Sequence, residues 1–589
     1  MLGVINSATT NVMLQATNDI TFSAPVNITT PGVGLTALAN NNINVNANIT
    51  TKAGNITLNA DIDNLNGGNL TINSTINTNG GNFLGIGRGN TLNRTGIFVN
   101  GTINAGGGDI NLDNGSGNTT TNVGISLAGS KITTTGNGNI TINGTSGSSN
   151  GLGIVLNVAT ISSVNGNITF NGTSTGAGTG IELNSSFVQS TGTGSITMTG
   201  TGGNGINNNI GVFVDRLSKI ESLNGNISLT GTGGGTGTNN NGILIQNSSL
   251  VTSIGSGNIT FKGTAGTGTD NNSGIGIANS NLKSQNGDIT LTGTGAGTGI
   301  TNTNYGILIE STAALEATAA NITLTGKGAN SDAIVLKNGS INPTANSGKN
   351  VTLTGDEIQL LGTTQVKGTG TIILQPLTPS LGILIGGTKN DASLNLNQAE
   401  LDTFSGFSQM VIGRTDGTGA IAIDPTLGVT FNSPTIIEAL NAPGSIAVNG
   451  QITANGGITF NGDTSLNANV IASDKNITFN NSVTLIKNVL VDTGTAGAGD
   501  IIFQKIVNGT NPNTQDLTLT AGSGNITFGG DVGSITPVGK LTINSAGNVQ
   551  TKAITAASII QQFDATGAVT VSGDLTATNG DISLKNPVK

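Results

Sequence analysis

The chain has 589 residues, of which 93 are Gly, only 9% are charged and 3% are aromatic, and it contains no His, Cys or Trp. Without Cys there is no disulfide framework and no thiolate metal site, and without His the Ser-His-Asp and Cys-His catalytic constellations are excluded. The net charge of −9 is spread thinly, which opposes nucleic-acid binding because that rests on Lys and Arg neutralising phosphates.

No apolar stretch reaches the length of a membrane span, and the first residues lack the basic and apolar regions of a signal peptide. Hydrophobic residues make up 35% of the chain and are regularly placed, which argues for an ordered core. An apolar triplet at Asn18–Phe22 and another at Gly580–Leu584 read as partial repeats at either end. A solenoid needs end caps, so the expectation is a piece of a longer protein.

One phrase recurs in chain order. It stands as GNITLNA at Gly54–Ala60, GNITING at Gly138–Gly144, GNITFNG at Gly166–Gly172 and GSITMTG at Gly194–Gly200. GNISLTG at Gly225–Gly231, GNITFKG at Gly257–Gly263, GDITLTG at Gly287–Gly293, ANITLTG at Ala320–Gly326 and KNVTLTG at Lys349–Gly355 follow. Alternation of period two marks each as a short strand, here strand A. A second quartet, strand B, reads GISL at Gly124–Leu127, GIEL at Gly180–Leu183, GVFV at Gly211–Val214 and GILI at Gly242–Ile245 and Gly306–Ile309. A weaker strand C (Lys131–Thr133, Lys219–Glu221, Asn281–Lys283) precedes each new A. In the period beginning at Gly166 the apolar stations are Ile168 with Phe170, Ile181 with Leu183, and Phe187 alone.

Cycles between Ile140 and Val351 average about 30 residues. Three strands per coil in constant order predict an all-β, right-handed parallel β-helix, each strand pairing with its counterpart one coil away. Regular coils run from about 138 within a first segment, 1–355. About 20 coils stacked ~4.8 Å apart would make a rod on the order of 100 Å. The A–B loops vary most in length, and they read as solvated filler.

The rhythm shifts over 356–435, where Asn397-Gln398-Ala399-Glu400 is a capping box predicting a short helix to about Phe404. Tighter coils follow over 436–589, with triplets at Ile458–Phe460, Ile477–Phe479, Ile501–Phe503, Ile526–Phe528, Leu541–Ile543 and Val569–Val571.

The blocks LQATNDITFSAPVNIT, VKGTGTIILQPLTPS and AELDTFSGFSQMVIGRTDGTGAIAI resemble the large filamentous-haemagglutinin-like surface proteins of bacteria, cyanobacterial ones in particular. The resemblance implies a secreted or cell-surface exoprotein that mediates attachment. It also implies a two-partner secretion pore in the outer membrane as export partner of the full-length parent, with surface glycans or other cells as contacts. The secretion domain of that family is not in this sequence, and Asn511-Pro512-Asn513 lies too late to be its signature.

Parallel β-helices also include polysaccharide lyases and hydrolases, whose sites need clustered acids. The candidate pairs are Asp61/Asp63 (on one strand face), Asp109/Asp113, Asp356/Glu357 and Glu400/Asp402, and solubilising surface charge accounts for each. A ladder of outward Thr at Thr197, Thr199, Thr290, Thr292, Thr323, Thr325, Thr352 and Thr354 is a possible contact surface, of the kind that orders water on ice-binding solenoids. Thr is equally a good exposed strand residue. No cofactor or metal site is expected. The leading expectation is a non-enzymatic adhesin-like shaft. A carbohydrate-active enzyme is the second reading, and an ice-binding surface the third.

Overall fold

The computed structural model describes residues 2–589 except 64, 66, 90–94, 116–121, 149, 300–302, 330, 331, 345–347, 388–391 and 563–566. The protein is a parallel β-helix built almost wholly of short strands. It forms two compact units, 1–349 with 361–365, and 350–360 with 366–589.

In the first unit the A strands run from Val12–Ala16 to Ile322–Lys327, the B strands from Ile20–Phe22 to Ile334–Lys337 and the C strands from Val26–Pro31 to Ser340–Ile341. All pair in parallel with the equivalent strand of the next coil. The inward residues form unbroken columns: Ile227, Ile259, Ile289 and Ile322 on A; Val212, Ile243, Ile275 and Ile307 on B; Ile220, Val251, Leu282 and Leu315 on C. All twelve are fully buried. Burying such a side chain contributes about 1.5–3 kcal/mol, so the core is a sum of equal, local steps.

The recurring phrase owes its Gly and Asn to this stacking. A Cβ on Gly194, Gly225, Gly257 or Gly287 would lie 1.9–2.1 Å from the carbonyl oxygen of the equivalent Gly one coil earlier. The turn therefore brings backbone onto backbone, and only Gly fits. The Asn beside it links the coils. Its side-chain oxygen accepts the backbone N–H of its counterpart, from Asn167 to Asn139 (2.9 Å), Asn258 to Asn226 (2.9 Å) and Asp288 to Asn258 (2.8 Å). Ser195 and Asp288 replace Asn without loss because each also carries an accepting oxygen. A buried Ser ending strand C completes the corner, with Ser163, Ser222 and Ser284 hydroxyls donating to the carbonyls of Gly166, Gly225 and Gly287 at 2.7, 2.6 and 2.5 Å. From Asn139 onward these links span 28 to 33 residues, which is the coil length expected from the repeat.

Several assignments read from the sequence change. Ile20–Phe22 is a B strand paired with Ile43–Val45, and the A strand of that coil is Val12–Ala16. Leu541–Ile543 pairs with Leu517–Leu519, while Val549–Thr551 is the A strand between Ile526 and Val569. Ile582–Ser583 pairs with Ile559–Ile560. An apolar-Thr-apolar triplet marks two inward residues in any sheet, whereas the preceding Gly-Asn is what belongs to strand A. In the coil beginning at Gly166 the inward C residue is Val188, in column with Ile161 and Ile220. Phe187 faces outward beneath the Lys219 ammonium, 5.2 Å from its ring centroid.

The second unit carries A strands from Val351–Thr354 to Val569–Val571, with further sheets of seven and nine strands. Its A-strand Asn links span 20 to 25 residues, so these coils are tighter. Phe460, Phe479, Phe503 and Phe528 stack inside it, ring centroids 4.8, 4.9 and 5.2 Å apart and ring planes nearly parallel. Offset stacking is a favoured aromatic geometry, and here the coil rise imposes the spacing. The capping box at Asn397 and Glu400 forms, but the helix covers only Gln398–Leu401, because Phe404–Ser405 is a strand paired with Val366–Lys367. A short helix at Leu2–Asn6 was not foreseen.

Gly257→Ala is expected to destabilise the first unit by about 1–3 kcal/mol, the usual scale of overpacking. Gly276→Ala, where a Cβ would meet only the flexible end of the Leu244 side chain at 3.0 Å, should cost clearly less; comparison of their chemical denaturation midpoints checks this.

Candidate functional site

The acid pairs are dispersed into structural work. Asp61 follows its strand at φ 63° instead of sharing a strand face with Asp63. Asp109 belongs to the Asn ladder, accepting the Asn139 N–H at 2.7 Å, while Asp113 accepts the Gly115 N–H. Asp356 accepts the backbone N–H and hydroxyl of Thr378, and Glu357 accepts from Asn395. Glu400 closes the capping box, and Asp402 accepts from Gln398. Among the described residues no three Asp, Glu, His or Cys side chains are grouped to hold a metal.

The Thr ladder is wider than the sequence reading had it. Thr169, Thr197, Ser228, Thr260, Thr290 and Thr323 form one column, and Thr199, Thr230, Lys262, Thr292 and Thr325 a second. The A strands continue past their Gly, adding a third column of Thr145, Thr173, Thr201, Thr232, Thr264 and Thr294. Thr352 and Thr354 lie in the second unit. There Thr352 stands beside Ile373, and Thr354 is buried, its hydroxyl accepting from Gln375 at 3.0 Å. By alternation Thr354 lies on the same face as Thr352, but it is covered, with Gln375 beside it in the next coil.

A concave site absent from the sequence reading lies on the B face of the first unit. Its floor is the outward side of successive B strands, where Phe213, Leu244, Gly276 and Leu308 stand in register. Glu182 precedes Phe213 in the same column, and Glu310 lies beyond Leu308. The A–B loops rise as a wall. Asn208, Asn239 and Asn271 adopt left-handed φ of 58°, 60° and 56°, which Asn tolerates, and they line the groove with Ile210, Asn241, Ser273 and Tyr305.

These loops are not solvated filler. Asn209, Asn240, Asn272 and Asn304 are fully buried beneath them. The side-chain oxygens of Asn240, Asn272 and Asn304 accept the backbone N–H of Asn209, Asn240 and Asn272 at 2.9, 2.8 and 3.0 Å. The enclosed volume is about 560 Å³, within the range of small-molecule sites. The lining joins an apolar floor to amides, hydroxyls and two carboxylates, and includes no Lys or Arg. The sequence signals were the apolar third residue of GVFV and GILI, which points outward, and the Asn runs at 207–209 and 239–241.

Comparison with protein-family models and with curated proteins finds no match. Among the described residues no helix is long and apolar enough to cross a membrane.

Asp61 is a buried acid whose pKa is shifted by that burial. One of its carboxylate oxygens has no hydrogen-bond partner, and burial raises its pKa above the ordinary 3.8, with Arg88 opposing and Asp63 reinforcing. A carboxyl raised in the fold stabilises below its unfolded pKa, and that stability is lost as pH rises through the folded value. Asp61→Asn, which keeps the left-handed tolerance, is therefore expected to raise the denaturation midpoint at neutral pH. The gain should vanish as the pH falls below about 3.8, and midpoints measured across pH test it.

Proposed function

We propose that this chain is the non-enzymatic shaft of a secreted or cell-surface, adhesin-like exoprotein of the filamentous-haemagglutinin-like kind. The observation that carries the reading is the coil-on-coil repetition, in which Gly, Asn and Ser of every coil serve backbone stacking. The engagement of the paired acids in turns, caps and ladders agrees with it, as does the resemblance of the blocks at 14–29, 366–380 and 399–423. Such a shaft works by holding contact surfaces away from a cell and by repeating weak polar contacts along its length, where multivalency multiplies modest affinity. Export of the parent would use an outer-membrane two-partner secretion pore, and the contacts would be surface glycans or other cells.

The test is protease treatment of intact producing cells, together with attachment of a deletion strain. Accessibility to external protease and reduced attachment are expected. Protection from protease would overturn the reading, and so would turnover of an acidic polysaccharide by purified protein that is abolished by Asp or Glu substitution.

The three Thr columns favour one second reading, a surface that orders water or ice. If it holds, purified protein shows thermal hysteresis that Thr230→Lys and Thr292→Lys together abolish; freezing-point measurement without hysteresis ends it.

A further inference from the structure

We infer that the groove on the B face of the first unit binds a neutral, unbranched oligosaccharide. This deepens the surface-contact reading above, on which it rests, by placing a ligand class at one location.

The groove has two chemically different sides. A pyranose ring presents a C–H face and a rim of hydroxyls. The floor of Phe213, Leu244 and Leu308 offers apolar surface to the ring face, and the Asn and Ser of the wall offer donors and acceptors to the rim. Spacing agrees as well. Floor residues recur once per coil, ~4.8 Å apart, which is close to the advance of one sugar along an extended chain. Gly276 interrupts the row of bulky floor residues, lying buried between Leu244 and Leu308 and keeping the floor low at that coil. A Cβ there would touch only the end of the Leu244 side chain, at 3.0 Å, with no backbone closer than 4.0 Å. Charge narrows the class further. Among the described residues Glu182 and Glu310 line the groove and no cation does, so uronic-acid and sulfated glycans are repelled. The wall is preorganised by its buried Asn ladder, so little ordering is needed on binding.

The chain supplies its own reporter. Tyr305 of the wall is the single tyrosine, and there is no Trp, so intrinsic fluorescence reads this groove alone. Titration of the full chain with cellohexaose and laminarihexaose is expected to give a saturable change in tyrosine emission with at least one of them. Hexagalacturonate should give none. Gly276→Leu adds a bulky side chain to the floor, where a Cβ meets only the flexible end of Leu244, and should weaken binding at least tenfold, with the circular dichroism of the parent. Phe213→Ala removes part of the floor without touching the core and should do the same, so the inference stays testable if one variant misfolds. The inference falls if neither neutral hexasaccharide gives a saturable change, if hexagalacturonate binds as tightly, or if both folded variants bind as the parent does. The absence of sugar binding on a chain still open to external protease ends the groove alone, whereas protection from protease ends the shaft reading.

Discussion

The close approach of one coil's backbone to the next at the Gly-Asn turn governs the rest of the structure. Where the carbonyl of one Gly lies under the α-carbon of the next, no side chain can intervene, and the vertical spacing of the coils is set by main chain alone. That spacing fixes the register of all three sheets, because each strand starts a short, repeated distance from the turn. The Ser hydroxyl then satisfies a buried carbonyl whose loss would cost about 1–3 kcal/mol, and the Asn oxygen ties successive coils together on the exposed side of the turn. Apolar columns contribute most of the energy, but they follow a geometry that the corner has already set.

The second unit shows what happens when the same constraint is kept and the rest is relaxed. Its A-strand ladder of Asn476, Asp500, Asn525 and Asn548 uses the same oxygen-to-amide link. Its coils are shorter, and Phe takes the second inward A position in four successive coils, so the interior there is filled by stacked rings. Coil length is thus free to vary in the loops and the other two strands, while the A corner stays constant. The segment 382–396 is the extreme case, since Gly382–Ile385 and Ser393–Leu396 pair with each other within one decorated coil.

How far the sequence could be read follows from this. Strands A, B and C of the regular coils were legible because period-two patterning and the Gly-Asn turn coincide there. Where only the triplet remains, as at Ile20–Phe22 and Leu541–Ile543, the pattern does not say which sheet the strand joins, since inward alternation is common to all sheets. Val188 was overlooked beside the larger Phe187 because a two-residue window does not reveal which of two neighbours points inward. The groove was illegible for a different reason. It depends on which loop residues take left-handed φ, and on Asn209, Asn240, Asn272 and Asn304 being buried in series, and neither is a property of any one coil.

A solenoid stacks its exterior as faithfully as its interior, and this bears on which surface features carry meaning. Once register is set by the corner, any Thr kept for its strand preference becomes a column, so the regularity of the Thr array follows from the fold before any ligand is considered. The groove differs because it departs from the repeat. Outward B positions hold Phe98, Ser126, Val155 and Glu182 in earlier coils, and then run Phe213, Leu244, Gly276 and Leu308 in succession where the A–B loops lengthen and acquire their buried Asn. Apolar residues placed on a solvent face gain nothing from stacking alone, whereas under an anchored wall they make a floor. In a molecule where repetition is the default, the residues that break it together, at one place, are the ones that the fold itself does not explain.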